Sequence, residues 1–267
     1  MSARPKKMER FVAAADESAG KHHRDKFLFG GFLAPEQDWS RFFVPAWKER
    51  VLNGPPAIPY LHMTDIRDPD WCSQHGISRL DAEKRMDEAF SVIHSTGSLY
   101  PICVSLDAGN FRDSFGEMRV VASTGGNKPF DPDYTCFLAY TFMVLSYVEI
   151  FHPEVEKVDF AVEKKGHVTR YMQDFHSTLA QAFQSLGKPE LSRRTGDFIS
   201  AGKDDVRLQA ADVLCWHTAR YGTGTMTALS DLRRYAKIAR REGARHHITV
   251  DEIAQLSTVL TPPVSTS

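Results

Sequence analysis

Cysteine is scarce in this chain and never paired in a CxxC. Cys72, Cys103, Cys136 and Cys215 are its four cysteines, scattered through 267 residues. That spacing excludes a zinc knuckle and a dithiol redox motif, and fits a reduced, cytoplasmic setting. Net charge is nearly lacking as well. With 33 Lys and Arg against 34 Asp and Glu the formal charge is −1, so attraction to nucleic acid or an anionic membrane must come from a local patch. No apolar run is long enough to cross a bilayer. The longest, CFLAYTFMVLSYV from Cys136 to Val148, ends at Glu149 and reads as a buried core helix. The basic start MSARPKKMER runs through FVAAA directly into Asp16 and Glu17, so the apolar stretch of a secretory leader is missing. Internal repeats, a P-loop, HExxH, GxSxG and the zinc-deaminase pattern are all absent, which leaves cofactor enzymes without support.

What is present reads as alternating strands and helices. RFVAAA and KFLFGGFLA predict a hairpin joined by DESAGKHHRD. Trp39, Phe42, Phe43 and Trp47 recur at helical spacing and predict a helix from Asp38 to Leu52, stopped by NGPP. After the short extended piece AIPYLHM come a helix over residues 80–94, a central strand YPICVSL, and the core helix from Tyr134 to Phe151. The strand KVDFAVE, a helix over residues 169–186, the strand RRTGDFISA and a helix containing LQAADVLCW complete the series. The pattern predicts an α/β domain over residues 8–222, a mixed sheet flanked by helices. Residues 223–267 read as a helical C-terminal appendage ending in the polar tail PPVSTS.

Asp212 stands alone in LQAADVLCW. Leu and Ala make the stretch helical, Asp204 or Asp205 is better placed as its N-cap, and the neighbours at helical spacing, Leu208, Gln209, Cys215 and Trp216, include no cation. Either Asp212 lies with Gln209 on a narrow polar stripe facing water, or it belongs to a site. Two more acids end strands: Asp16 closes RFVAAA, and Glu163 closes KVDFAVE on the face of Asp159 and Ala161. Sites in open α/β sheets gather at strand ends, so Asp16, Glu163 and Asp212 are candidates to converge. Two carboxylates about 4 Å apart repel by about 4 kcal/mol at an effective dielectric of about 20, so such a cluster calls for a cation. Oxygen ligands without His or Cys suit Mg²⁺ or Mn²⁺ and phosphoryl-transfer chemistry. Each acid has a plainer alternative. Asp16 in an Asx-turn, Glu163 paired with Lys164 or Lys165, and Glu17 on the opposite face of a regular strand, as a surface or supporting group, are all ordinary arrangements.

ADESAG with FLFGGFLA after it, Trp39 and Trp47, YLHMTD and above all LQAAD give a resemblance. The chain resembles the widespread bacterial and phage domain-of-unknown-function family numbered thirty-eight hundred, over about Phe11 to Tyr221. The resemblance implies an RNase H-like core in which Asp16, Glu163 and Asp212 are metal ligands. Ala19 before Gly20 and a Glu at position 163 depart from the family's usual Ser-Gly and Asp. The family has no settled activity, so nuclease chemistry is an inference from fold and acids.

His62 in YLHMTD recurs in the resemblance. It is either a general acid or base beside the metals or a satisfied core histidine. His22 and His23 lie in the first hairpin loop, where they either touch substrate or are simply solvated. RRYAKIARREGARHH concentrates Arg233, Arg234, Lys237, Arg240, Arg241 and Arg245 with Glu242 as its only acid, and is the candidate nucleic-acid surface or a solvated helix face. The expectation is a cytoplasmic Mg²⁺- or Mn²⁺-dependent nuclease, a hydrolase with Asp16, Glu163 and Asp212 as ligands and His62 and Glu17 in support. The alternative is a non-catalytic RNase H-like binding module for protein or nucleic acid, without a membrane partner in either case.

Overall fold

The structure, a computed structural model, describes residues 9–17, 26–115, 119–121, 127–129, 132–164, 172–174, 176, 179, 183–184, 187–239, 242–249 and 251–252. Its centre is a mixed six-stranded sheet. Strands β1 (Glu9–Glu17), β2 (Lys26–Pro35) and β3 (Tyr100–Asp107) form an antiparallel meander. A small separate hairpin, β4 (Arg119–Val121) and β5 (Asn127–Pro129), follows. Then β6 (Val155–Glu163) returns parallel to β1, β7 (Thr195–Ala201) parallel to β6, and β8 (Ala244–Ile248) parallel to β3. The order is β7-β6-β1-β2-β3-β8. A mixed sheet flanked by helices is the α/β class expected.

The pleat divides the core into two layers. On β1, Phe11, Ala13 and Ala15 face one side with Val158, Phe160 and Val162 of β6. There they meet Phe137, Tyr140, Val144 and Val148 of α3 (Pro132–Phe151). Val12, Ala14 and Ala161 face the other side, against a helical run α1 over residues 36–52, α2 (Arg79–Ser95) and α4 (Val206–Gly222). Small side chains on central β1 let helices approach both faces, and Gly30 of β2 leaves room for its partner on β3: a Cβ there would stand 2.6 Å from Cys103 Sγ. Among the described residues no helix is long and apolar enough to cross a membrane.

Local chemistry sets the helix limits. Ser78 Oγ accepts the Asp81 N–H at 3.1 Å and the Asp81 carboxylate accepts the Ser78 N–H at 3.1 Å, a reciprocal cap that starts α2. Asp205 accepts the Arg207 N–H at 3.0 Å and starts α4. In α1, Trp39, Phe43, Trp47 and Val51 repeat every fourth residue and are all buried. Steps of four overshoot an α-helical turn by about 40°, and the two π-helical stretches Trp39–Phe43 and Lys48–Leu52 widen the turn so the row keeps facing the sheet. Phe42, expected on the same face, falls outside that row and is 62 % exposed.

Residues 229–239 and 244–248, expected in an appendage, pack into the domain itself. Helix α5 (Leu229–Ala239) carries buried Arg234, whose guanidinium reaches Asp87 at 2.8 Å, Glu83 at 2.7 Å and Asp231 at 3.2 Å. Arg67 bridges Glu83 at 3.1 Å and Asp231 at 2.7 Å, so α5, α2 and the turn at Arg67 form one ion-pair web. Beyond it β8 adds the sixth strand. Arg193 and Arg194, expected in a strand, instead close the short helix Pro189–Arg194, which a proline in the first turn begins. The helix expected over residues 169–186 lies largely outside the described residues, as do His22, His23 and the polar tail.

His217 of α4 is fully buried between Phe90 and Trp216, and its Nδ1–H donates to Val213 O at 2.7 Å. Burial pushes its pKa down to about 4, against the upward pull of Asp231. A histidine that is harder to protonate in the fold than in the open chain leaves the unfolded state binding more protons below about pH 6.5. Its contribution is present above that pH and is lost as pH falls toward 4. Urea unfolding is therefore expected to show a loss of about 3 kcal/mol from this residue across that window, and His217→Phe to flatten that part of the profile.

Candidate functional site

Strands β1 and β6 are adjacent and parallel, so their C-terminal ends lie at one end of the sheet. Ala15 pairs with Val162, and one step further along the chains stand Asp16 and Glu163. By the pleat both fall on the layer that α4 covers, the face of Ala14 and Ala161. Helix α4 crosses this face and presents Leu208, Gln209 and Asp212. With Leu61, His62 and Lys203, these residues line a small cleft that opens to solvent.

The three acids come to it in different ways. Asp16 is 4 % exposed, at the end of a buried strand, and its Oδ1 accepts the Glu17 N–H at 2.9 Å. Asp212 Oδ2 accepts the Met63 N–H at 2.6 Å, which ties α4 to the first turn of the short helix Met63–Ile66. Of the two readings the sequence allowed for Asp212, the stripe facing only water is set aside. The acid spans two elements across a cleft. Glu163 joins them from β6.

Gln209 works as a hub beneath the acids. Its Oε1 accepts from Trp47 Nε1 at 2.8 Å and from the Leu61 N–H at 3.2 Å, while its Nε2 donates to Lys203 O at 2.8 Å. One buried amide thus fixes α1, the Leu61–His62 segment and the turn at Lys203 around the cleft. His62 Nδ1 lies 3.3 Å from Asp65 Oδ2, close but without the geometry of a hydrogen bond.

Negative charge around the site is felt at Cys215. Its thiol donates to Asp16 O and Gly30 O, each at 3.2 Å. Burial raises its pKa well above the ordinary thiol range, and Cys103, Asp16, Asp212 and Glu17 add to the rise. Asp16 and Asp212 therefore act on the same buried atom from the strand and the helix.

Glu17 is not among the residues that line the cleft. It remains in register with Phe29, so regular alternation turns it to the opposite face from Asp16, and it stands near this site as a neighbouring charge. Arg234 is likewise corrected: 4 % exposed and held by three carboxylates, it is a structural ion-pair residue and no phosphate-contacting surface. Arg233 and Lys237, one turn apart on α5, are exposed, and Arg240 and Arg241 lie outside the described residues. Asp107 caps a turn by accepting the Asn110 N–H at 2.8 Å.

Lys203 was not foreseen. The signal for it was topological: β7 runs parallel to β6, so the turn after β7 arrives at the same sheet end as Asp16 and Glu163. The donor set of the cleft, three carboxylates with no thiolate, suits a hard divalent cation. Among the described residues no group of three or more His, Cys, Asp or Glu side chains is arranged to hold a metal ion as it stands. The donor chemistry fits Mg²⁺ or Mn²⁺, and binding would have to draw the carboxylates inward. Compared with protein-family models, curated proteins and solved structures, the chain matches none.

Proposed function

We propose that this protein is a divalent-metal-dependent nuclease on an RNase H-like fold, with Asp16, Glu163 and Asp212 as the metal-holding acids. One observation supports this above all: three carboxylates from two adjacent strands and one helix, far apart in sequence, line a single open cleft beside His62. A bound Mg²⁺ or Mn²⁺ would supply neutralising charge and activate a water toward a phosphodiester. The chain's own residues do the rest. Asp16 is set by the end of a buried strand, and Asp212 by its bond to Met63. His62, with Asp65 close by, lines the cleft where a proton can pass to or from the leaving oxygen. The free, buried thiols of all four cysteines agree with a cytoplasmic setting.

Calorimetric titration with Mn²⁺, followed by incubation with single-stranded and duplex DNA and RNA, tests the reading. Saturable binding and Mn²⁺-dependent cleavage are expected. Absence of both would move the protein to the binding-module class.

A further inference from the structure

The turn between β7 and α4 carries Lys203, the one lysine among the described residues that lines the cleft. Its main chain is fixed from below, because buried Gln209 donates to Lys203 O at 2.8 Å and the Asp205 N–H closes the turn on Gly202 O at 3.0 Å. The side chain is also directed. Lys203 Nζ lies 3.7 Å from Asp65 Oδ2 and 5.3 Å from the centre of the Tyr60 ring, so a carboxylate and an aromatic face hold the ammonium at the rim. Asp65 is shared, since His62 Nδ1 stands 3.3 Å from the same Oδ2.

An ordinary surface ion pair would explain the Lys203–Asp65 distance, but such a pair adds little to stability when the lysine is 46 % exposed. It would not explain why the cation shares one cleft with three acids. A phosphodiester brought to Asp16, Glu163 and Asp212 meets three carboxylates and needs positive charge on its other oxygens. A lysine supplies that as a mobile point charge. We propose that Lys203 is the substrate-phosphate contact of this cleft: its ammonium exchanges Asp65 for a non-bridging oxygen of a phosphodiester lying over the acids, and Asp65 is then left beside His62. This rests on the nuclease reading and adds to it the residue that holds the substrate.

The test uses fluorescence anisotropy with a fluorescein-labelled single-stranded DNA oligonucleotide, in Ca²⁺ and at a series of NaCl concentrations, together with Mn²⁺ calorimetry. Lys203→Met is expected to weaken oligonucleotide binding about tenfold and to lower the slope of log K against log salt by about 0.7 to 1, the signature of one lost phosphate contact. Lys203→Arg should keep the slope, and Mn²⁺ affinity should be undiminished in both variants. Asp65→Asn separates a phosphate contact from a structural pair: it frees the ammonium and should leave oligonucleotide binding as tight as wild type or tighter. Equal affinity and slope for wild type and Lys203→Met overturn the Lys203 assignment and leave the metal site standing. Weakening by Asp65→Asn equal to that by Lys203→Met also overturns it. Failure of the wild type to bind Mn²⁺, with or without the oligonucleotide, removes the nuclease reading and this assignment with it.

Discussion

Asp212→Asn is expected to abolish saturable Mn²⁺ binding and to lower Mn²⁺-dependent phosphodiester cleavage by about a thousandfold, while the protein stays folded. The amide is isosteric and its oxygen still accepts the Met63 N–H, so the link between α4 and the short helix Met63–Ile66 persists. Removing one negative charge also relieves repulsion with Asp16 and Glu163 in the same cleft. The metal-free variant should therefore unfold at or slightly above the temperature of the metal-free wild type. Mn²⁺ at about a hundred times its dissociation constant should stabilise the wild type by about 2.7 kcal/mol and the variant hardly at all. Differential scanning fluorimetry with and without Mn²⁺ reads both effects. Glu17→Gln, on the other face of β1, is the control and should behave as wild type. A variant that unfolds outright, or one that binds Mn²⁺ normally, would remove Asp212 from the ligand set.

Arg234→Met is expected to produce the largest loss of stability. Arg234 is buried and joins Glu83, Asp87 and Asp231, of which Asp231 is itself only 4 % exposed. Truncating one partner of a buried pair leaves a desolvated charge behind, which costs about 3–5 kcal/mol when nothing replaces it. Arg67 remains at 2.7 Å from Asp231, and Glu83 and Asp87 are partly solvated, so the lower end, about 3 kcal/mol, applies. For a chain of this size that corresponds to a fall of roughly 6–12 °C in Tm. Arg233→Met, at the exposed neighbouring position, should change stability by less than about 0.5 kcal/mol. Oligonucleotide binding should follow the reverse order if α5 touches nucleic acid at all. Chemical denaturation of the two variants side by side distinguishes a structural web from a recognition surface.

The contrast between Arg234 and Arg233 shows where sequence reasoning reaches its limit. A run of basic residues reports charge, but the partners that neutralise Arg234 include Glu83 and Asp87 on α2, distant in sequence and visible only once α5 is seen to pack there. The acids were easier to read. Alternation along β1 and β6 fixes the face of Asp16 and Glu163, and an acid at a strand end has few other places to go. Asp212 was legible because its helical neighbours offered it no cation. Lys203 was missed because its place depends on β7 lying parallel beside β6, which local pattern does not encode. β8 escaped for another reason. ARHHI is an edge strand with three exposed residues at its centre, so it lacks the apolar alternation that marks a strand. The period of four in α1 was visible in the sequence but was matched to an ordinary helix, which wrongly buried Phe42.

Cys215 has a consequence for how this molecule can be watched. Its thiol is sealed between α4 and the β1–β2 pair by its contacts with Asp16 O and Gly30 O. A bulky thiol reagent reaches that sulfur only when the helix lifts from the sheet, and the same lifting separates Asp212 from Asp16. The rate of labelling at Cys215 is thus a clock for the integrity of the cleft, kept by an atom that takes no part in its chemistry. Any ligand that bridges helix and strand slows that clock, whichever substrate the cleft prefers.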